Sequence, residues 1–266
     1  MANTPALDEL GRTINAYWDN RAQTYSNGVR DELAGYGRCS WQRVLAHAIA
    51  DELEVARAKK RALRALDLGC GPGFFCILLA DEGCVVDAVD MSAQMLARAK
   101  SNAGAAVPPA HITFHQCDAA DLPFANDTFD LAVSRNLTWL MRNPEHAYVE
   151  WLRVLRPGGK LLVFDANWYR YLVDERVDAA RRSDQAKREV YDERSRATED
   201  EERRCERIAV ELPLTPVMRP EWDIQTLERL GAAYVGVNED AWLELWTTGE
   251  QEYYGSSPLF MIEARK

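Results

Sequence analysis

A glycine-rich turn that follows an acidic residue is the feature of this sequence most suited to binding a ligand. Asp67 and Leu68 end a short apolar run, and Gly69, Gly71 and Gly73 follow at alternate positions before an apolar helix begins. Glycine lets the backbone turn tightly and approach a ligand, and the start of the helix adds free N–H groups. Dinucleotide-binding proteins use a similar turn, but the carboxylate of Asp67 would repel a pyrophosphate there. The turn therefore favours a ligand that carries positive charge.

Two further aspartates end the next predicted strands and have the chemistry to bind a nucleoside. Asp90 follows Val85–Val89, where a carboxylate accepts hydrogen bonds from both hydroxyls of a ribose. Asp118 ends the third strand and can accept a hydrogen bond from an adenine amino group. Each has a plainer alternative, because aspartate also caps helices and forms turns, although Ser92 already supplies a cap after Asp90. Together they predict an adenosine-containing ligand without identifying it.

Polar and aromatic residues follow the fourth and fifth predicted strands, where a second ligand would meet the first. In chain order they are Ser134, Arg135, Asn136, Trp139, Trp168 and Tyr169. We predict that they contact ligands; the alternatives are that Arg135 and Asn136 only cap their strand and that the aromatic residues only anchor the segment after them. Arg219 precedes a helix that begins at Pro220, which suits an anion, although a surface salt bridge is the simpler alternative.

The elements that carry these residues alternate between strands and helices. Apolar runs predict strands at 61–68, 85–89, 112–117, 129–134, 160–165, 234–237 and 259–264. Helical spacing predicts helices at 13–26, 40–59 with Ser40 as its cap, 74–82, after Ser92, 144–155 and 220–230. Residues 238–257 are ambiguous. Such alternation is typical of an α/β fold whose mostly parallel sheet is covered by helices on both faces.

Three regions follow from this pattern. We expect an N-terminal helical cover at 1–60, a ligand-binding core at 61–169 and 211–266, and an insertion at 170–210. The insertion is dense in Arg, Glu and Asp with few apolar residues, which predicts a solvated helical segment that can also act as a lid. The cover carries the aromatic residues Tyr17, Trp18 and Tyr25, whose alternative role is core packing.

Charge and composition narrow the class of partner. Lys and Arg number 32 against 42 Asp and Glu, giving a net charge of −10 that repels phosphate backbones. We therefore expect a small-molecule substrate and no nucleic acid. No apolar run approaches the roughly 18 residues of a membrane helix, and the first residues lack the apolar stretch of a signal peptide. The 6 cysteines contain no C-x-x-C pair, so we expect reduced thiols in the cytoplasm.

We predict no metal site. His111, His115 and Cys117 share one strand, and residues four apart on a strand are separated by about 13 Å, too far to bind one ion through local geometry. A monomer and a homodimer are both compatible with the sequence.

Five segments in order resemble the class I S-adenosylmethionine (SAM)-dependent methyltransferase superfamily, in its small-molecule branch. They are Leu66–Gly73, Val89–Ser92, Cys117–Phe124, Phe129–Asn136 and Val154–Phe164. The resemblance implies a Rossmann-like, doubly wound, mostly parallel seven-stranded sheet whose last strand is antiparallel, with SAM across the carboxyl ends of its first strands. DNA-amino methyltransferases carry an N/D-P-P-Y-like tetrapeptide after the fourth strand; this chain lacks it, which argues against base methylation.

The resemblance also implies which residues hold each part of the cofactor. The glycine turn with Asp67 takes the methionine part, Asp90 the ribose, and Asp118 with Ala119 the adenine. The full predicted cofactor set is Tyr17, Tyr25, Asp67, Gly69, Cys70, Gly71, Gly73, Asp90, Met91, Asp118, Ala119, Ser134 and Arg135. The predicted substrate set is Trp18, Asn136, Trp139, Trp168, Tyr169 and Arg219. The helix around Tyr17 and Tyr25 resembles one that folds over SAM in this branch.

The expected reaction is transfer of a methyl group from SAM to a small molecule by in-line displacement. Its leaving group is neutral, so the protein mainly aligns the nucleophile, the methyl carbon and the sulfur. The catalytic residue is unknown; Asp165 and His146 are the titratable residues that we would test. The alternatives are a SAM-binding module that regulates or performs other chemistry, and a nicotinamide-dependent oxidoreductase. The sequence does not identify the acceptor.

Overall fold

The computed structural model describes residues 8–106, 111–186 and 197–266. Residues 1–7 of the predicted cover and 187–196 of the predicted insertion therefore lie outside the described residues. Over the described ranges, seven strands form one sheet in the order β3-β2-β1-β4-β5-β7-β6. They are β1 (Arg64–Leu68), β2 (Val85–Asp90), β3 (Ile112–Gln116), β4 (Phe129–Arg135), β5 (Leu155–Asp165), β6 (Tyr234–Asn238) and β7 (Phe260–Arg265).

The directions of the strands confirm the predicted topology. The strands β3, β2, β1, β4 and β5 pair in parallel, each with its neighbour in the sheet. The last strand, β7, runs antiparallel between β5 and β6. The fold is thus a Rossmann-like, doubly wound α/β sheet, and the carboxyl ends of β1 to β5 meet at a single edge.

Helices cover both faces of this sheet. In chain order they are α1 (Glu9–Ala34), α2 (Tyr36–Ala48), α3 (Ala50–Ala58), α4 (Phe74–Asp81), α5 (Ala93–Ala106), α6 (Pro144–Val154), α7 (Glu175–Ala186), α8 (Glu199–Glu211), α9 (Glu221–Arg229), α10 (Ala241–Leu245) and α11 (Thr248–Tyr254). Alternate residues of a strand face opposite sides, so Ala65 packs with one layer and Leu66 with the other. The first layer contains Trp41 and Phe75, and the second contains Trp151.

The N-terminal helices differ from the prediction. Helix α1 begins at Glu9 and is far longer than 13–26, because the Asp8 side chain caps it by accepting a hydrogen bond from the Gly11 N–H at 2.7 Å. The predicted helix at 40–59 is two helices, α2 and α3, which are separated at Ile49. The prediction that Ser40 caps a helix was wrong, since Ser40 lies buried inside α2.

Several element boundaries also move. Strand β1 begins at Arg64 rather than at residue 61, and the Arg61 side chain before it forms an ion pair with Asp130 at 2.5 Å. Strand β5 begins at Leu155 and includes the Pro-Gly-Gly turn, with a shift in register against β4. The ambiguous segment 238–257 contains α10 and α11, and α11 begins with a capping box at Thr247. The cap predicted at Ser92 is confirmed, and Asn143 caps α6 by accepting a hydrogen bond from the His146 N–H.

The described part of the insertion contains α7 and α8. Cys205 and Ile208 of α8, with Leu212 directly after it, form a third apolar cluster with Ile14 and Tyr17 of α1. The N-terminal helix and the insertion therefore pack on each other. None of the helices within the described ranges combines the length and the apolar character needed to cross a membrane.

Candidate functional site

A cavity of about 370 Å³ runs along the carboxyl ends of β3, β2, β1 and β4, and α1 forms its other wall. The predicted site residues that line it are Trp18, Tyr25, Gly69, Gly71, Asp90, Met91, Asp118, Ala119, Arg135, Asn136 and His146. Sequence reasoning missed Asp8, Asn15, Leu140 and Arg142, which also line it. The helical period could have placed Asn15 beside Trp18, three residues further along α1, but no sequence signal marks the other three.

The glycine turn adopts backbone conformations that favour glycine. Gly69, Gly71 and Gly73 have φ values of 62°, 51° and 99°. A Cβ on Gly69 would lie 2.7 Å from the Cδ1 of Leu137, whereas a Cβ on Gly71 would meet only Tyr25, at 3.8 Å. Gly71 therefore faces the cavity, while Gly73 packs against Ala99 of α5 and does not line it.

Asp67 lies behind the turn rather than in the cavity. Its side chain is buried, and Oδ2 accepts a hydrogen bond from the Cys76 N–H at 2.8 Å. Burial raises the pKa of Asp67 to about 7. Asp67 thus joins the turn to the first turn of α4. Four other predicted cofactor residues also lie outside the cavity lining, each of them buried or facing away: Tyr17, Cys70, Gly73 and Ser134.

Asp90 lines the cavity and is held rigidly. Its Oδ2 accepts a hydrogen bond from the Gly71 N–H and its Oδ1 one from the Ser92 N–H, each at 2.8 Å. Burial raises the pKa of Asp90 to about 6, against the opposing effect of these two N–H groups. A carboxylate oxygen has two lone pairs, so both oxygens can accept one more hydrogen bond each. This is the geometry that a pair of ribose hydroxyls requires.

Asp118 is held by a cation at the β3 end of the cavity. Its Oδ1 accepts a hydrogen bond from the Ala120 N–H, and its Oδ2 lies 2.9 Å from Nη2 of Arg142. Nη1 of the same guanidinium lies 2.9 Å from Asp8, the residue that caps α1. Arg142 therefore connects the start of the N-terminal helix to the sheet.

The β4 end carries a neutralised cation and a strained asparagine. The two Nη atoms of Arg135 donate to the Glu32 carboxylate at 3.0 and 2.9 Å. The guanidinium lies 4.4 Å from the ring centres of both Trp41 and Phe74. The next residue, Asn136, has a φ of 56°, and its Oδ1 is buried without a hydrogen-bond partner. Backbone strain of this kind is common at ligand sites.

The remaining predicted residues cluster outside the cavity. Trp139, Trp168, Tyr169 and Arg219 surround a separate void of only about 10 Å³. Arg219 is 2% exposed, and its guanidinium bonds Asp165 at 2.7 Å and Asp223 at 2.8 Å. Both alternatives for Arg219, an anion site and a surface salt bridge, were therefore wrong. The buried carboxylates of Asp165 and Asp223 compensate the charge of the guanidinium, so Arg219 is stable inside the protein.

The two titratable residues considered as bases, Asp165 and His146, differ in their access to the cavity. Asp165 is fully buried against Arg219 and accepts a hydrogen bond from the Trp139 N–H, so it has no access to the cavity. His146 lines the cavity near Asp121, at the β3 end. In the parts of the chain that the structure describes, no group of three His, Cys, Asp or Glu side chains could hold a metal ion.

Comparison with known proteins relates this site to methyl transfer. Residues 66–163 match a methyltransferase domain. The chain is 38% identical over 112 residues to malonyl-(acyl-carrier protein) O-methyltransferase of Enterobacter lignolyticus, covering 42% of either chain. It is 34% identical to 2-phytyl-1,4-naphtoquinone methyltransferase of Trichormus variabilis, covering 57% of this chain and 64% of that one. The chain thus spans less than two thirds of these relatives.

Solved structures share the fold at lower identity. Phosphoethanolamine N-methyltransferase 2 of Haemonchus contortus superposes with a TM-score of 0.51 at 19% identity, over 77% of this chain and 49% of that one. The (4+2)-cyclase SpnF superposes with a TM-score of 0.57, also at 19% identity, over 100% and 99%. Residues 66–163 thus carry a methyltransferase domain, on a seven-stranded sheet that these methyltransferase structures share.

Proposed function

We propose that this chain transfers the methyl group of SAM to a small-molecule acceptor in the 370 Å³ cavity. The order of side chains along the cavity is the observation that carries the proposal. The sheet order places Asp118, Asp90 and the Gly69–Gly71 turn in sequence along one edge. An adenine, a ribose and a methionine chain follow in the same order in SAM.

The proposed contacts use groups whose geometry suits each part of the ligand. Asp90 accepts hydrogen bonds from the ribose hydroxyls, and Asp118 with the Ala119 backbone binds the adenine. The backbone of Gly69 and Gly71 approaches the methionine part. On the α1 side, Tyr25 and Trp18 pack edge to face with ring centres 5.5 Å apart. Their rings can stabilise the sulfonium cation and exclude water from it.

The reaction is a displacement at the methyl carbon. A lone pair of the acceptor forms the new bond while the carbon–sulfur bond breaks and its electron pair returns to sulfur. Alignment of the three atoms supplies most of the catalysis, because the neutral thioether is a good leaving group. In this proposal the carboxyl ends of β3, β2 and β1 hold the donor. The acceptor is therefore proposed to bind at the β4 end, where Arg135 and Asn136 lie.

The test of this proposal must measure the methylated product itself, since a fold does not by itself establish an activity. A neighbour that covers the whole chain is named as a cyclase. Calorimetry should show that the protein binds SAM and S-adenosylhomocysteine but not NAD. A metabolite pool with SAM should then yield S-adenosylhomocysteine and a product heavier by one methyl group. Binding without any methylated product would favour the regulatory alternative, and binding of NAD alone would overturn the proposal.

The predicted regions and location remain part of this proposal. Residues 1–60 are proposed as the cover, 61–169 with 211–266 as the core, and 170–210 as the lid. The contact of α8 with α1 supports the proposal that the cover and the lid close over the cavity together. All 6 cysteines are unpaired and all but Cys39 are buried, which agrees with a cytoplasmic location.

A further inference from the structure

Four buried side-chain atoms of the described cavity residues have no hydrogen-bond partner. They are Oδ1 of Asn15, Nε1 of Trp18, Nε of Arg135 and Oδ1 of Asn136. Asn15 and Trp18 are three residues apart on α1 and therefore share one face of the helix. A buried polar group without a partner costs free energy, so native proteins satisfy nearly all of them. Four such atoms around one cavity indicate a place where polar groups of a ligand bind.

These atoms lie toward the acceptor end of the cavity. Asn136 follows β4, the strand beyond β1 when the sheet is followed from the adenine side. Trp18 packs on Tyr25. The Cε1 atom of Tyr25 would lie 3.8 Å from a Cβ on Gly71. Under the proposed function SAM occupies the edge from β3 to β1. Asn136 and Trp18 therefore lie nearer the methyl group than the adenine, and Asn15 lies one helical turn from Trp18.

The charges at this end are already neutralised. Arg135 is bonded to Glu32 through both Nη atoms. The carboxylates and the imidazole among the described cavity residues belong to the adenosine end or to the start of α1: Asp8, Asp90, Asp118, Asp121 and His146. The Arg135–Glu32 pair therefore leaves no net charge at the acceptor end, where Nε of Arg135 stays a hydrogen-bond donor, and no base lies among the described residues there. Its other walls are apolar, with Ile14, Leu137 and Leu140.

We infer that the acceptor is a phenol- or enol-type hydroxyl on an uncharged, largely apolar molecule; this rests on the proposed function. The Trp18 N–H donates to the acceptor oxygen, and the amides of Asn15 and Asn136 bind its hydroxyl hydrogen or a neighbouring oxygen. The oxygen forms a bond to the methyl carbon as the carbon–sulfur bond breaks and sulfur keeps the electron pair. The hydroxyl proton passes to solvent water, which a phenol or an enol allows more readily than an alcohol.

Three probes that share one ring system test this inference. The protein loaded with S-adenosylhomocysteine is titrated by calorimetry with 2-naphthol, 2-naphthoate and the ammonium form of 2-naphthylmethylamine. We expect 2-naphthol to bind about tenfold more tightly than either charged probe, since burying an uncompensated charge is costly. The variant Trp18→Phe keeps the ring but removes the N–H, and Asn136→Gly removes the amide while allowing positive φ. Each should weaken 2-naphthol binding about fivefold.

The control is Trp242→Phe, which removes an indole N–H on α10, outside the cavity. It should bind all three probes and S-adenosylhomocysteine as the native protein does. Failure of the native protein to bind S-adenosylhomocysteine would refute the proposed function itself. If it binds and 2-naphthol is no better than its charged counterparts, or Trp18→Phe matches Trp242→Phe, the acceptor inference is wrong.

Discussion

The two walls of the cavity are held in different ways. The floor is the carboxyl-end rim of β1 to β5, and it is held by buried contacts such as Asp67 to the Cys76 N–H and Asp165 to Arg219. Helix α1 of the cover and helix α8 of the lid are held to the rim and to each other by the apolar cluster around Ile14 and Tyr17 and by side-chain pairs that are partly exposed. One of them joins Asp8, the cap of α1, to Arg142 after β4 at 2.9 Å.

This difference determines what each wall can do. Breaking a buried contact leaves an unpaired group inside the protein, whereas an exposed pair exchanges its partner for water at little cost. The floor should therefore stay fixed with or without ligand, as an alignment mechanism requires. The cover should open at low cost, as ligand entry requires. The predictions below test this comparison from the floor to the cover.

The largest effect is expected for Arg219 in the floor. Arg219→Met keeps most of the side-chain volume but leaves the carboxylates of Asp165 and Asp223 without their cation. Removing one partner of a buried ion pair typically costs about 3–5 kcal/mol of unfolding free energy. Urea unfolding followed by circular dichroism measures the loss. The control is Arg229→Met, because Arg229 pairs with Glu145 at the surface; an equal loss in both variants would contradict a rigid floor.

A smaller effect, confined to binding, is expected for Asp90. Asp90→Ala removes the proposed acceptor of two ribose hydroxyl hydrogen bonds, so SAM binding should weaken by about 1.5–3 kcal/mol. The fold should remain, since the two N–H groups that Asp90 binds can be reached by water in the cavity. Calorimetry with SAM gives the affinity, and thermal unfolding checks the fold. Native affinity in a folded variant would show that the ribose lies elsewhere.

The pKa of Asp90 predicts how SAM binding depends on pH. Burial raises this pKa to about 6 in the free protein, so the group is a carboxylate at neutral pH and becomes protonated as the pH falls through 6. Only the carboxylate accepts both hydroxyl hydrogen bonds. At pH 5 about a tenth of the molecules are ionised, so SAM affinity should be about tenfold weaker than at pH 8.

Asp90→Asn provides the matched control for this titration, because an amide does not ionise in this range. Its SAM affinity should be lower than that of the native protein but flat between pH 5 and 6.5. Asp67 has a pKa raised to about 7 by burial and lies behind the same turn. A variant that keeps the full pH dependence would therefore assign the effect to Asp67 instead.

The same contrast explains what the sequence could predict. The sheet and the Asp90 site were readable because strand periodicity, glycine spacing and the strand-ending carboxylate act within short segments. The contacts of the cover were not, because Arg21 and Glu201 or Arg142 and Asp8 are far apart in the chain and carry no local signal. Arg219 shows a third case. Its place before a helix suggested a surface role, and only the fold reveals the two carboxylates that bury it.

The smallest effect is expected in the cover, where hydrogen exchange can detect it. The Asp19 carboxylate of α1 accepts hydrogen bonds from the Ser92 hydroxyl at 2.5 Å and from the Gln94 N–H at 3.3 Å. Asp19→Leu should speed amide exchange across 13–26 without affecting β1, whereas Asn20→Leu on the exposed side should not. SAM should slow exchange across 13–26 in the native protein, because the ligand binds against α1, and an acceptor such as 2-naphthol should further slow α8. Exchange in α1 that ignores both SAM and Asp19→Leu would mean that α1 is as rigid as the floor, and ligands would then have to enter elsewhere.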